Sequence, residues 1–472
     1  MLDLENVKKI YFIGIGGVGM SAAAGISAQM GIEVSGSDSK ELYDPAKSVL
    51  ENNDIEYFAG FAEENVANAH ADLYIASAGE GTTNPEIAWL EKQEIEIHSF
   101  SELLAALAQD KLRVVVAGTH GKSTTAGMLG KTLQTIDDSS FMTGAVLQHD
   151  NTNFHVGDGH YFVFEGDEYK ALHNDPTPKF HQYKADILLL TNLEFDHPDI
   201  FDSLEEMQNE FRTLIHDLPS DALVAYNADS IALTQLMYES NVGQISFALD
   251  APADFRATDI VSTEDGTSFS VVWTKEGREN LTENYNINLS GHINVYNALG
   301  VIATLRTLGF TQEQVQDGIS TYYGVKRRFE FIGEKDGVKV YDDYAHHPTA
   351  ILETLRTARL KFPNQKIWAV FEPHTFSRTI ATLPELAKAF EPADEVLLAE
   401  IYPARERVQE GNITGAQVVD EISKHHENVR LVKDKSEALD ILKGESKSGD
   451  VVIVMAVGNF NVLAQDLVSL SS

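Results

Sequence analysis

The stretch that decides the fold is Leu112-Arg-Val-Val-Val-Ala-Gly118-Thr119-His120-Gly121-Lys122-Ser123-Thr124. An apolar, β-branched strand runs into a glycine-rich turn that opens a helix. Successive N–H groups of such a loop form a nest for nucleotide phosphates, Lys122 adds a cation, and the Ser123 hydroxyl can bind Mg²⁺. The usual spacing would place a further glycine at Val116, so the loop is a shortened variant. We predict that residues 118–124 bind ATP.

The same strand–helix rhythm recurs on both sides of this loop, which predicts parallel sheets with crossover helices. Around Ser268–Trp273 apolar and polar residues alternate, which indicates antiparallel strands between 256 and 290. The helix Val295–Leu308 is expected to close that unit. The sequence therefore predicts an α/β protein of three domains, with ranges 1–108, 109–324 and 325–472. The expected parallel strands are Lys9–Ile15, Glu33–Gly36, Leu73–Ala76, Ile95–Ser99, Leu112–Ala117, Tyr161–Phe164, Ile187–Thr191, Ala222–Ala225, Val338–Tyr341, Ile367–Phe371, Glu395–Ala399 and Val451–Met455.

A second glycine-rich turn, Gly14-Ile-Gly16-Gly17-Val-Gly19, lies between the first strand and the first helix. Asp38 follows at the end of the next strand. This pattern is typical of a dinucleotide-binding turn, in which a helix N-terminus receives a diphosphate and the acid receives a ribose hydroxyl. By itself it does not distinguish NAD from a UDP-sugar.

Acidic turns follow two apolar strands of the central domain, Glu165-Gly-Asp167-Glu168 and Asn192-Leu-Glu194-Phe-Asp196-His197. Parallel strand ends meet at one edge of a sheet, so these side chains are expected near the phosphate loop. We predict that Glu165 and His197, with the Ser123 hydroxyl, bind the metal. Asp167, Glu168 and Asp196 are weaker candidates.

The third domain begins with the basic triplet Lys326-Arg327-Arg328, where an arginine could reach a γ-phosphate as charge develops on it. A dense polar turn follows a strand, Asp342-Asp343-Tyr344-Ala-His346-His347-Pro348. His374 and Arg378, in Glu-Pro-His-Thr-Phe-Ser-Arg, supply a cation that could hold a carboxylate.

Composition narrows the class of protein. The 472 residues include 72 acidic against 36 basic residues, for a formal net charge of -36, which disfavours nucleic acid and anionic membranes as partners. There are no cysteines, so disulfides, thiolate nucleophiles and zinc–thiolate sites are excluded. No apolar run approaches the roughly 18 residues of a membrane span, and the start shows no leader pattern, so we expect a cytoplasmic protein.

Together the motifs resemble those of the Mur ligases of peptidoglycan synthesis, over nearly the whole chain. The resemblance implies a Rossmann-like UDP-sugar domain, a central ATPase domain with a parallel sheet, and a Rossmann-like domain for the incoming amine. It implies ATP and two Mg²⁺ ions as cofactors, and ligation of L-alanine to the lactyl carboxylate of UDP-N-acetylmuramate through an acyl phosphate. The motifs, in family order, are GIGGVGMS, AGTHGKST, EGDE, TNLEFDH, GVKRRFE, YDDYAHHPT, EPHTFSR and IYPARE.

The resemblance also implies a role for individual residues. Lys122 and Arg328 would act on the γ-phosphate, and His346 or His347 would orient or deprotonate the amine. One departure is Ile293, where the family usually has a histidine near adenine, and another is the lack of any lysine between Lys184 and Lys275 to be carbamylated beside the metals. The remaining implied contacts are Gly16, Gly17, Gly19, Asp38 and Ser77 for the UDP-sugar, Asn294 and Asn297 for adenine, Asp343 and Tyr344 for the ribose, and His374 and Arg378 for the amino acid.

Three alternatives remain at this point. A recycling ligase of the same family joins a tripeptide, L-Ala-γ-D-Glu-diaminopimelate, to the same UDP-sugar, and the stretch KFHQYKADILLLTNLEFDHPDIF resembles it more closely. A nicotinamide-dependent oxidoreductase would explain only the first glycine-rich turn. A nucleotide-binding regulator would leave Lys122, Glu165, His197 and Arg328 without a purpose. Either a monomer or a dimer is compatible with the sequence.

Overall fold

In the computed structural model, residues 2–196, 198, 200–274, 280–404 and 406–469 are described. They form three α/β units, built on sheets of five, ten and six strands. The predicted fold class is thereby confirmed. Each sheet lies within one of the three predicted domain ranges, and the boundaries at 108 and 324 stay predictions.

The first sheet is wholly parallel, with strand order β3-β2-β1-β4-β5. The order reverses beside β1, so the crevice for a ligand opens at the carboxyl end of that strand. The strands are β1 Lys9–Ile13, β2 Glu33–Asp38, β3 Glu56–Ala59, β4 Leu73–Ala76 and β5 Ile97–His98, and the helices are α1 Val18–Gln29, α2 Ala46–Asn52, α3 Glu63–Ala69, α4 Pro85–Lys92 and α5 Phe100–Leu107.

The central sheet has the order β15-β14-β13-β12-β11-β10-β6-β9-β7-β8. Its middle is parallel, and β13, β14 and β15 pair antiparallel, as predicted for residues 256–290. The strands are β6 Leu112–Ala117, β7 Ser140–Met142, β8 Phe154–His155, β9 Tyr161–Glu165, β10 Ile187–Leu190, β11 Leu223–Asn227, β12 Gly243–Ala248, β13 Phe255–Ser262, β14 Thr267–Thr274 and β15 Asn280–Ile287, and the helices are α6 Lys122–Asp137, α7 Lys179–Gln182, α8 Leu204–His216, α9 Ile231–Glu239, α10 His292–Thr307 and α11 Gln312–Ile319.

The third sheet has the order β16-β17-β21-β18-β19-β20 and is parallel except for the β16–β17 hairpin. A short 3₁₀ turn, Asn459–Asn461, precedes the last helix. The strands are β16 Glu330–Lys335, β17 Val338–Asp343, β18 Ile367–Phe371, β19 Glu395–Ala399, β20 Val429–Val432 and β21 Val451–Met455, and the helices are α12 Pro348–Lys361, α13 Phe376–Ala381, α14 Leu383–Leu386, α15 Gly415–Ile422, α16 Lys435–Glu445 and α17 Val462–Ser469.

Burial explains why the middle strands read as continuous apolar runs. β10 (ILLL) and β21 (VVIVM) are buried at every position, because helices cover both faces of a parallel sheet. The helices that cover them begin at defined residues. Ser99 and Thr311 each open a helix with a reciprocal capping box, which satisfies backbone N–H groups that the helix leaves unpaired.

The structure corrects several local predictions. Helix α10 does not close the central unit, because α11 follows it and packs against α6. The short strands β3, β7, β8 and β20, the parallel strand β12 and the hairpin strand β16 were not predicted. Among the described residues, no helix has both the length and the apolar character needed to cross a bilayer.

Candidate active site

The phosphate loop joins β6 to α6 in a backbone conformation that requires glycine. Gly118 and Gly121 have φ of +127° and +82°. A Cβ at Gly118 would lie 2.3 Å from the Thr191 Oγ1 and 2.7 Å from the carbonyl oxygen of Asn192, so a side chain there would displace the neighbouring loop. No described side chain caps the N-terminus of α6. The first N–H groups of this 16-residue helix therefore face the loop, as anion binding requires.

The Lys122 ammonium lies over this loop. It donates to the carbonyl oxygens of Gly118 at 2.6 Å and Thr119 at 3.2 Å, and it pairs with Glu168 at 2.9 Å. Burial alone would lower the pKa of Lys122, but the carboxylates of Glu168 and Asp167 raise it above its usual value. Burial raises the pKa of Glu168 to about 7, although the neighbouring ammonium lowers it. The lysine is thus held charged beside the phosphate nest.

Ser123 and Glu165 meet at the carboxyl ends of β6 and β9. The Ser123 hydroxyl donates to Glu165 at 2.6 Å, and the N–H of Gly144 donates to the other carboxylate oxygen at 2.6 Å. Burial and the charge of Asp167 raise the pKa of Glu165. A hydroxyl and a buried carboxylate are oxygen ligands of the kind that Mg²⁺ prefers, and a nearby dication would favour the ionised carboxylate. The donor set fits a magnesium ion.

The other predicted metal ligands divide into three groups. Asp167 pairs with Lys179 at 3.2 Å, so that both Asp167 and Glu168 are neutralised by lysines. Asp196 pairs with an arginine of the third domain. His197 lies outside the described residues, and its predicted role stays a prediction.

The segment Thr191–Asp196 is hydrogen-bonded to the phosphate loop. The side chain of Asn192 accepts from the backbone N–H of His120 at 2.8 Å and donates to its carbonyl oxygen at 3.0 Å. The Thr119 hydroxyl donates to the carbonyl oxygen of Glu194 at 3.0 Å and accepts from its N–H at 2.9 Å. Movement of this segment must therefore move the loop.

A cavity of about 1180 Å³ opens beside the loop, between the central and third domains. Its walls include His120, Thr125, Asn297 and Tyr296. Asn297 is buried and accepts from the Thr125 hydroxyl at 3.1 Å, and its side-chain Nδ2 donates to Asn294 Oδ1 at 3.2 Å. The volume and the polar wall suit the nucleoside part of ATP. Of the two asparagines predicted to contact adenine, Asn297 lines the cavity.

Several lining residues were not singled out from the sequence, among them His292, Tyr296 and Asp229. His292 begins α10 and faces the cavity beside Ile293, and the Tyr296 hydroxyl donates to Asp229 at 2.9 Å. His292 and Tyr296 lie in the segment GHINVYN (291–297), in which the sequence analysis considered only Ile293 and the two asparagines. One helical turn brings these positions to one face, so the motif contained the signal.

Arg328 and its neighbours lie where the third domain begins. The guanidinium groups of Arg327 and Arg328 lie 5.1 and 5.3 Å from the ring centre of Tyr344, within the range of cation–π attraction. Asp343 is buried and accepts from the N–H groups of Phe329 at 2.8 Å and Ala345 at 2.7 Å. Burial raises the pKa of Asp343. Its carboxylate shapes this turn, and Tyr344 positions both arginines.

The two adjacent histidines point to different places. The His346 Nδ1–H donates to the Tyr344 carbonyl oxygen at 2.8 Å, and its ring meets His374 edge-on at 5.8 Å. Burial and the Arg378 charge hold the pKa of His346 well below its usual value. His347 instead caps α12 and lies beside His120, with ring centres 4.5 Å apart and ring planes tilted by 42°.

Arg378 crosses from the third domain to the central one. Its Nε and Nη2 both lie 2.9 Å from the Asp196 carboxylate, and its Nη1 lies 2.8 Å from His374 Nδ1. Arg378 and Asp196 are each 4% exposed. The structure thus joins His346, His374 and Arg378, all three predicted to act on the incoming amino acid, in one cluster at the domain boundary, in which the arginine is buried and the histidines are half-buried.

Glu194 was not singled out from the sequence, yet it faces the loop. The Thr349 hydroxyl donates to its carboxylate at 2.7 Å, and His120 Nε2 lies 3.4 Å away. Burial alone would raise the pKa of Glu194, but the His120 imidazole and the Thr349 hydroxyl lower it to about 2. Burial and the nearby His120 lower the pKa of His347 to about 4.

In the first domain, the glycine-rich turn closes over the carboxyl ends of β1, β2 and β4. The N–H of Gly16 donates to Asp38 at 2.8 Å, and a Cβ at Gly16 would lie 2.7 Å from that carboxylate oxygen. Gly19 packs against a phenylalanine ring, Gly17 opens α1 without a side-chain cap, and Ser77 donates its N–H to Ile13 at 2.9 Å. The predicted residues therefore meet at one crevice, which suits a diphosphate.

Comparison with known proteins supports a common architecture. Three Mur ligase profiles match consecutive parts of the chain: the family's catalytic domain over residues 9–112, its middle domain over 116–305 and its glutamate ligase domain over 327–458. The UDP-N-acetylmuramate–L-alanine ligase of Desulfitobacterium hafniense (strain Y51) is 34% identical over 461 residues, covering 97% of this chain and 99% of that relative.

Two solved structures are similar over the full length. A UDP-N-acetylmuramate–alanine ligase from Thermotoga maritima has a TM-score of 0.78 and 25% identity, with 98% of each chain covered. A murein peptide ligase from Psychrobacter arcticus has a TM-score of 0.71 and 26% identity, again with 98% of each chain covered.

Proposed function

This chain belongs to the Mur ligase family, and we propose that it joins L-alanine to the lactyl carboxylate of UDP-N-acetylmuramate at the expense of ATP. The observation that carries the proposal is the placement of Lys122, Ser123 and Glu165 around one glycine-rich loop. The D. hafniense relative, named for this reaction, supports the choice of substrates. The same proposal places the enzyme in the cytoplasm, where ATP is available, and its product in peptidoglycan synthesis.

The reaction needs an activated acid, because a carboxylate and an amine do not condense in water. A lactyl carboxylate oxygen attacks the γ-phosphorus of ATP, the bond to the β-phosphate oxygen breaks, and ADP leaves. The amine then attacks the acyl phosphate, loses a proton, and inorganic phosphate departs. Lys122 and Arg328 stabilise the charge on the transferred phosphoryl group, which is the main demand of such a step.

Bound Mg²⁺, two ions in this proposal, would neutralise phosphate charge and orient the γ-phosphate. Ser123 and Glu165 would hold one ion, and we assign His197 to the second. Asn297 and the cavity wall around it would hold the adenosine, with Tyr344 and Asp343 at the ribose side. UDP would lie in the crevice formed by Gly16, Gly17, Gly19, Asp38 and Ser77.

We assign the amine site to the cluster of His346, His374 and Arg378. The contact of Arg378 with Asp196 fixes the plane of the guanidinium, which can then meet the carboxylate of alanine. His374 faces the same guanidinium. His346 is uncharged at neutral pH, since its pKa is depressed, so its free nitrogen can accept the proton of the attacking amine. His347 instead lies against His120 of the phosphate loop.

A second candidate is ligation of the tripeptide L-Ala-γ-D-Glu-diaminopimelate to the same UDP-sugar. The similarity to the P. arcticus murein peptide ligase supports keeping it. Phosphate release with UDP-N-acetylmuramate and ATP is measured while the amine is alanine, serine, glycine or the tripeptide. A much higher kcat/KM with alanine supports the proposal, and a preference for the tripeptide would replace it with the recycling activity. Oxidation or reduction of a nicotinamide cofactor without ADP release would contradict both.

A further inference from the structure

A cluster of two imidazoles and one carboxylate shares no residue with the Ser123–Glu165 site. His120 comes from the phosphate loop, Glu194 from the turn after β10, and His347 from the start of α12 in the third domain. His120 Nε2 and His347 Nδ1 lie 3.4 and 4.0 Å from the same Glu194 oxygen. All three ligand atoms lie within 4.8 Å of one another. The geometry points to a binding site for a transition-metal dication such as Zn²⁺ or Co²⁺, and we propose that such an ion bridges the two domains there.

The distances are close to those that a metal needs. With bonds of about 2.0–2.1 Å, ligand atoms around a tetrahedral zinc ion are about 3.3 Å apart. The two separations from Glu194, 3.4 and 4.0 Å, exceed this value, and all three atoms lie within 4.8 Å of one another, so binding requires side-chain rotation that draws the ligands together. Three protein ligands also leave one position open, and the Glu194 side chain, 41% exposed, faces the cavity where a water molecule could complete the set.

The cluster has an unsatisfied atom at its centre. His120 Nε2 is buried and forms no hydrogen bond with any described residue, although the Glu194 carboxylate lies 3.4 Å away. A buried ring nitrogen without a partner costs free energy, and a metal ion would satisfy it. This observation distinguishes the cluster from an ordinary ion pair.

The surrounding contacts hold the ligands in orientations that metal binding requires. The His347 Nε2–H donates to the Phe195 carbonyl oxygen at 3.3 Å, which leaves Nδ1 as the ring's lone-pair nitrogen. The Thr349 hydroxyl anchors the Glu194 carboxylate at 2.7 Å. Hydrogen bonds of this kind, donated by a ligand to a backbone carbonyl or by a hydroxyl to a ligand, fix ligand orientation in metal sites. The weak bond at 3.4 Å from the Thr349 N–H to His347 Nδ1 would be lost on binding.

The ligand chemistry selects against magnesium. Imidazole nitrogens favour zinc, cobalt and their neighbours, whereas Mg²⁺ prefers oxygen ligands and keeps its water. The ion would therefore differ from the one assigned to Ser123 and Glu165. Because His347 belongs to the third domain and the other ligands to the central one, a bound ion would stabilise the closed arrangement of the two.

The test uses the full-length, chelator-treated protein without nucleotide, titrated with Co²⁺ in excess Mg²⁺. We expect one equivalent to bind, with the strong visible absorption of four- or five-coordinate cobalt and a rise in Tm. X-ray absorption of the unmodified protein should show two imidazole ligands. Neither measurement depends on turnover, so its failure is distinct from failure of the proposed ligase activity.

Variants locate the site. His347→Gln and Glu194→Gln should each weaken Co²⁺ binding at least tenfold, while Glu165→Gln, at the magnesium site, and His425→Ala, an exposed histidine, should leave it unchanged. Thermal unfolding without metal checks that the variants are folded. Binding that Mg²⁺ abolishes, a six-coordinate spectrum, or absorption unchanged in His347→Gln would overturn the proposal.

Discussion

Replacement of Lys122 by methionine removes the loop's cation and keeps most of its volume. The ammonium now lies 2.6 Å from the Gly118 carbonyl oxygen, in the nest where phosphate would bind. At about 4 Å and an effective dielectric constant of about 20, one such charge interaction is worth about 4 kcal/mol. Since about 1.4 kcal/mol is a factor of ten in rate, we expect kcat to fall by about 10³-fold.

The substitution also leaves Glu168 without its partner, and this effect must be separated from catalysis. Burial already raises the pKa of Glu168 to about 7 with the lysine present. Without the lysine the pKa rises further, so the group is protonated at neutral pH and no bare charge stays buried. The loss of stability should therefore be modest, and Lys122→Met combined with Glu168→Gln should recover it.

The assay is phosphate release with saturating UDP-N-acetylmuramate and alanine, beside calorimetric binding of the UDP-sugar. We expect turnover to be lost equally in the single and double variants, whereas the UDP-sugar, bound in another domain, keeps its affinity. Ligation within a few fold of the parent in Lys122→Met would refute the assignment. Recovery of turnover in the double variant would show that Lys122 acts only by neutralising Glu168.

Three further predictions follow from distances and charges. Gly16→Ala should weaken UDP-sugar binding at least tenfold, since its Cβ would lie 2.4 Å from a leucine methyl group. Gly444→Ala, on a helix of the third domain where a Cβ would have no described atom within 4 Å, should bind normally in the same titration. Arg378→Met should raise the KM for alanine far more than that for ATP, and adding Asp196→Asn should restore Tm but not KM, because it removes the buried negative charge that the Arg378 guanidinium had balanced. Equal changes in both KM values would contradict the assignment. Burial raises the pKa of Asp342 to about 6, so the folded state binds more protons and the group's stabilising contribution, present at low pH, is lost as pH rises through 6. The free energy of unfolding of the parent, measured in urea, should fall relative to Asp342→Asn by about 1–2 kcal/mol between pH 5 and 7, and a constant difference would contradict the shift.

The features predicted correctly are those that local sequence determines. Leu112–Ala117, Leu73–Ala76 and Val451–Met455 have the predicted bounds because a buried parallel strand is apolar throughout and is bounded by turn residues. β7 and β8 span only three and two residues, too few to show a period. β7 exists because β9 offers an edge to pair with, and β8 in turn pairs with β7.

The candidate site likewise combines features that local sequence determines with features that it does not. Its loops could be predicted because glycine, lysine and hydroxyl residues follow strands in a fixed order. Which neighbour a side chain meets depended on the irregular backbone after the strand. His346 and His347 are adjacent, yet the second caps a helix and the first turns toward His374. Glu168 was a weaker candidate for a metal ligand, but in the structure it pairs with Lys122. The two residues are 46 positions apart, so the sequence does not show that they are neighbours.

One segment connects most of these observations. The turn after β10 contacts the phosphate loop through Asn192 and Glu194, and the third domain through the Phe195 carbonyl oxygen and Asp196. The turn therefore links the third domain to the phosphate loop through a few hydrogen bonds. An acyl phosphate would then form only where water is excluded and the amine is already held.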